Sequence, residues 1–107
     1  MSDTEFVVIF STCNSIAEAD RIAKRLIEEK TAACVNISDR VTSVYRWDGE
    51  IQKNVEALII IKTRRSLVGK VQTLVKEEST YDCPEILAVP VVAGSPDYLR
   101  WLEKVTE

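Results

Sequence analysis

Two long strand-forming segments meet at a tight turn in this chain: Ala33 to Trp47, then Asp48-Gly49, then Glu50 to Thr63. Asp-Gly between two such segments is a strong hairpin signal. At roughly 3.3 Å per residue each arm reaches about 45 Å. A compact chain of this size has a radius of gyration of only about 13 Å. A hairpin that outruns its own domain leaves apolar side chains and open backbone edges with nothing to pack against. Another copy of the same chain is the simplest cover, so the sequence reads first as an oligomer.

The remaining segments define the fold around that hairpin. Glu5 to Thr12 is β-branched and apolar through Phe6-Val7-Val8-Ile9-Phe10, as in a strand buried on both faces. Ser15-Ile16-Ala17-Glu18 matches a helix capping box, and Ile16, Ala19, Ile22, Ala23, Leu26 and Ile27 recur at helical spacing after it. A second helix is expected from about Ser66 to Glu78, with Leu67, Val71, Leu74 and Val75 inward. Ile86 to Ala93 reads as a strand whose Pro90 confines it to a sheet edge or a bulge. Ser95-Pro96-Asp97 opens a closing helix with a cap, a first-turn proline and an early acid. Tyr98, Leu99, Trp101, Leu102 and Val105 supply its apolar face.

The order βαββαβ plus a terminal helix, with right-handed crossovers, gives an α+β ferredoxin-like sandwich of two helices on a four-stranded antiparallel sheet. The first and third strands fall in the middle and the fourth at an edge. Leu58-Ile59-Ile60-Ile61 makes both faces of the central strand apolar. Two helices cover one face, and the other is a patch that calls for a partner.

With 107 residues, 46% of them apolar, and no linker or repeat, the chain suits a single domain over 1–107. Fourteen basic residues against 17 acidic ones give a net charge of −3, unlike a nucleic-acid or anionic-membrane binder. No apolar run approaches the ~20 residues of a membrane span. Met1-Ser2-Asp3-Thr4-Glu5 lacks a basic segment followed by an apolar one, so no secretion signal is expected there. Cys13, Cys34 and Cys83 are odd in number and far apart, which fits reduced thiols in a cytoplasmic protein. Histidine is absent, removing the commonest metal ligand and the usual general base.

Several motifs together resemble the CutA divalent-cation tolerance family. They are Ala32-Ala33-Cys34-Val35-Asn36-Ile37, Ser43-Val44-Tyr45-Arg46-Trp47-Asp48-Gly49-Glu50-Ile51, Ile61-Lys62-Thr63, Tyr81-Asp82-Cys83-Pro84-Glu85-Ile86 and Tyr98-Leu99-Arg100-Trp101-Leu102. The resemblance covers almost the whole chain. It implies a ferredoxin-like protomer in a homotrimer, similar in architecture to the PII signalling proteins. It also implies a cytosolic role tied to copper and other divalent metals, with no established reaction. Ser79, preceded by Glu78, and Ser11 stand where family members carry His and Cys, so the resemblance transfers no copper ligand set. No metal ligands are assigned, and a divalent metal such as copper enters only through the family.

Three thiols and one mixed constellation are the candidate sites. Cys13 stands at the start of a helix, whose dipole can depress a thiol pKa. No nearby base completes a nucleophilic pair, so it reads as a small loop residue. Cys34 alternates with Val35 as a small core hydrophobe. Cys83 lies near Glu78, Asp82 and Glu85, a weak metal cluster or a solvated acidic loop, with no tight zinc spacing. Tyr45 and Trp47, Lys62 and Thr63, and Tyr81 and Glu85 end three different strand or loop segments. They suit either an inter-subunit cleft for a small anionic or polar ligand or an interface held by aromatics and a Lys-Glu pair.

No catalytic residue is assigned and the chain is not read as an enzyme. An RNA-recognition domain needs aromatic and basic residues on the third strand, and Val55 to Ile61 has neither. An acylphosphatase-type hydrolase needs an arginine after the first strand, and Ser11 to Ser15 contains none. Three roles remain: a trimeric metal-responsive or small-ligand regulatory module, a structural scaffold for another, unknown protein, and a weak metal buffer.

Overall fold

A computed structural model describes residues 5–107. The expectation that no secretion signal occupies Met1 to Thr4 falls outside the described residues. In chain order the elements are β1 (Phe6–Cys13), α1 (Ile16–Glu28), β2 (Cys34–Trp47), β3 (Glu50–Arg64), a 3-10 turn (Arg65–Leu67), α2 (Val68–Glu78), β4 (Leu87–Pro90) and α3 (Pro96–Val105). The sheet order is β2-β3-β1-β4 and every pairing is antiparallel. The ferredoxin-like architecture read from the sequence is the architecture observed.

Strand alternation sorts the sheet into two faces. Val7, Ile9 and Cys13 of β1 share a face with Ala57, Ile59 and Ile61 of β3, and these side chains are buried. Ala19, Ile22 and Leu26 of α1 and Val71, Leu74 and Val75 of α2 close over them to form the core. Ile16 and Ile27, at the margins of the α1 stripe, are exposed. On the opposite face lie Val8, Phe10, Leu58 and Ile60, all half-buried. There α3 is tied down at one end, where Arg64 donates from Nε to Thr106 Oγ1 (2.9 Å) and from Nη2 to the Thr106 carbonyl (2.8 Å). Leu87 and Val89 of β4 remain exposed.

Local chemistry explains the boundaries. Asp48 and Gly49 both take positive φ (52° and 77°), the primed turn that matches the right-handed twist of the two arms. Ser15 caps α1 by accepting from the Glu18 amide at 3.1 Å. The expected start of the second helix at Ser66 gives way to a 3-10 turn, because Arg65 N still donates to the Glu5 carbonyl at 2.7 Å. β4 is shorter than the expected Ile86 to Ala93: Pro90 has no N–H, and one bond from Val91 N to the Phe6 carbonyl (2.9 Å) ends the pairing.

The hairpin sets the shape, with extents of 44 × 26 × 22 Å and a radius of gyration of 14.4 Å. A β-bulge interrupts β2 between Ser38, opposite Leu58, and Val41, opposite Glu56. Three steps along β2 there match two along β3, so the alternation of β2 reverses. Beyond the bulge Val41, Ser43, Tyr45 and Trp47 face the same way as Glu56, which the even-numbered residues did before it.

Candidate ligand cleft

That reversal builds a cleft. Tyr45 and Trp47 come from β2 beyond the bulge, Glu56 from β3, Thr12 from β1, and Tyr81 to Glu85 from the loop before β4. Together they border a concavity of about 620 Å³, within the range of small-molecule sites. Without the extra residue in β2, the two aromatics would project from the other face of the hairpin.

Two buried carboxylates hold the site. Glu18, 3% exposed, accepts from the Asn14 amide through Oε2 and from the Thr80 amide through Oε1, both at 3.1 Å. The capping-box glutamate thus braces the loop that carries Tyr81 instead of reaching back to Ser15. Glu56, 9% exposed, accepts from the Tyr81 hydroxyl at 2.7 Å. Burial, reinforced by this carboxylate, pushes the Tyr81 phenol above its ordinary range. At the mouth of the cleft Asn54 Nδ2 donates to the Tyr45 hydroxyl.

Of the six residues singled out in the sequence, Tyr45, Trp47, Tyr81 and Glu85 line this cleft. Lys62 and Thr63 do not. Lys62 lies opposite Cys34 and Val8 in the sheet. Thr63 is fully buried on the core face, where its hydroxyl donates to the Thr31 carbonyl at 2.7 Å. With Lys62 elsewhere, no basic side chain among the described residues borders the cleft, which removes the base that an anionic ligand requires. Glu56 was missed by sequence reasoning. Its signal was a lone acid entering the apolar run Ala57-Leu58-Ile59-Ile60-Ile61.

The thiols also settle into definite environments. Cys13 ends β1 inside the core and is not a loop residue. Burial, with help from Glu18 and Glu56, pushes its pKa up to about 12, overriding any lowering by the nearby helix start. Cys34 is half-buried, opposite Lys62 and outside the core cluster expected for it. Cys83 is exposed and borders the cleft. Glu78 is drawn away from it: Arg21 Nε and Arg25 Nη1 bind its two oxygens at 2.9 and 3.0 Å and hold its carboxyl below the usual range. Among the described residues no three Cys, Asp or Glu side chains converge on a point that would hold a metal ion.

A ferredoxin-like α+β chain with an over-long hairpin and a cleft along that hairpin defines the class. Residues 7–105 match the family model described as CutA1 divalent ion tolerance protein, and the chain belongs to that family. Among relatives, it is 42% identical to the divalent-cation tolerance protein CutA of Thermus thermophilus, over 92% of this chain and 96% of that one. It is 41% identical to Protein CutA of Mus musculus, over 92% of this chain but 55% of that one. The chain thus spans about half the length of the mouse relative. The solved structure of the periplasmic divalent cation tolerance protein CutA from Archaeoglobus fulgidus superposes with a TM-score of 0.93 at 39% identity, covering 95% of this chain and 99% of that one. CutA1 from Oryza sativa also gives 0.93, at 41% identity over 99% and 98%.

Proposed function

We propose that this chain is a small-ligand binding module of the divalent-cation tolerance family that works as a cytoplasmic homotrimer without chemistry of its own. The observation that carries the reading is the hairpin's outer half, which exposes Val44, Ile51 and Val55 beside an open cleft lined by Tyr45, Trp47 and Tyr81. Sister copies would cover those apolar side chains, and their packing would flank the cleft and couple its occupancy to assembly. Divalent metal is here the condition to which the system responds, since among the described residues no Cys, Asp and Glu donors form a chelate. The absence of histidine and the protonated state of Cys13 leave no activated nucleophile in this reading.

Calorimetry and thermal shift against amines, amino-acid metabolites and nucleosides test it. At least one should give heat and a raised Tm that Trp47→Ala removes. Silence across the whole panel would refute it. The scaffold role has one observation in its favour: α3 exposes Tyr98 and Trp101, ring centroids 5.4 Å apart. If a protein partner docks there, Trp101→Ala abolishes its capture while ligand binding at the cleft persists.

A further inference from the structure

The carboxylates near the cleft differ in how completely they are satisfied. Both oxygens of Glu18 accept backbone amides, and both oxygens of Glu78 accept from arginine. Glu56 is different. Its Oε1 accepts from Tyr81, whereas its Oε2 takes no hydrogen bond and its carboxylate has no ion-pair partner among the described residues. This side chain is 9% exposed and borders the cavity. The buried side-chain oxygen without a partner among the described residues is Ser11 Oγ; Glu56 Oε2 is instead reached by solvent from the cleft, an acceptor whose water a ligand donor can replace.

The surroundings state what that donor should be. Tyr45, Trp47 and Tyr81 offer aromatic surface, Asp82 and Glu85 add negative charge, and no lysine or arginine among the described residues borders the space. An anion would meet only like charge. A purely apolar ligand would desolvate Glu56 and return nothing. A metal ion lacks a converging set of donors. A cation that carries N–H donors satisfies Glu56 Oε2 and is attracted by aromatic faces as well.

We propose that the cleft binds a small organic cation, a primary ammonium, amidinium or guanidinium on an aromatic or aliphatic body, with its N–H groups on Glu56 and its body against Tyr81 and Tyr45, on the side of the cleft that Trp47 closes. This rests on the reading of the cleft as a ligand site and names the ligand's chemistry. Three probes of similar size and different charge separate the two ideas: benzylammonium, benzyl alcohol and benzoate, each titrated into the intact protein by calorimetry. The indole N–H resonances of the chain's two tryptophans, Trp47 and Trp101, report where binding occurs. Benzylammonium should bind and move the Trp47 resonance but not that of Trp101. Benzyl alcohol should bind about ten- to hundredfold more weakly, the worth of a charge-assisted hydrogen bond, and benzoate should not bind. Glu56→Gln, close in shape, should weaken benzylammonium by a similar factor and leave benzyl alcohol unchanged. If benzyl alcohol or benzoate matches benzylammonium at Trp47, the cation assignment is wrong while the cleft remains a ligand site. If no probe reaches Trp47, the cation assignment and the ligand-site reading fail together.

Discussion

The two halves of β3 carry similar side chains and meet opposite fates. On one face of the strand, Ala57, Ile59 and Ile61 are at most 1% exposed, whereas Ile51 and Val55, in the same alternation phase, are 70% and 50% exposed. The difference lies in what stands opposite. α1 has 13 residues, about 20 Å of helix. β3 has 15 residues, roughly 45–50 Å of strand. The helices end before the strand does, and Val55 and Ile51, beyond Glu56 toward the turn, are left exposed among the described residues. Burial along this strand therefore follows the length of the helices packed on it, and its outer apolar side chains are the surface that the proposed assembly would cover.

The sharpest way to break this comparison is to substitute the same residue type in each half. Ile59→Ala should cost about 2–5 kcal/mol in chemical unfolding, the usual range for a core isoleucine, without altering the assembly. Ile51→Asp should do the converse, releasing smaller species in sedimentation with an unchanged far-UV circular dichroism spectrum. A large unfolding penalty at Ile51 with no change in mass would refute the division. Next in size is Thr63→Val in the inner half. It leaves the buried Thr31 carbonyl without the donor now 2.7 Å away, and an urea titration should show a loss of about 1–3 kcal/mol.

Smaller effects mark the junction between the halves. Cys13 lies opposite Ala57 in the core, and Cys83 borders the cleft on the surface. A thiol reagent followed by mass spectrometry should modify Cys83 promptly and leave Cys13 intact until denaturant is added. The gentlest test is the Tyr81 phenol, held above its unfolded value near 10 by burial and then by Glu56. The folded chain retains that proton longer than the unfolded one. Its contribution is therefore complete below pH ~10 and fades as pH rises through the folded value. Ultraviolet titration should find one late-ionising tyrosine, and Glu56→Gln should bring it back toward the ordinary range.

Much of this was legible in the residues. Asp48-Gly49 named the turn, Pro90 named the edge strand, and Leu58-Ile59-Ile60-Ile61 named a central strand with two apolar faces. The cleft was legible only in part. Alternation alone says that Lys62 and Thr63 face opposite ways, so they could not both line one cleft. The bulge between Ser38 and Val41 left no comparable mark, because no glycine or proline stands there. It arises from pairing with β3, a relation between distant segments. Glu18 was visible as a cap but its grip on Thr80 was not, since that contact depends on how α1 and the loop after α2 come together.

The central claim is that sister chains cover the outer half of the hairpin. Sedimentation equilibrium of the unmodified protein, taken across a dilution series down to nanomolar, tests it most directly. The account predicts a species of three times the 12.1 kDa chain mass that persists on dilution. A single 12.1 kDa species with native circular dichroism throughout the series would contradict it.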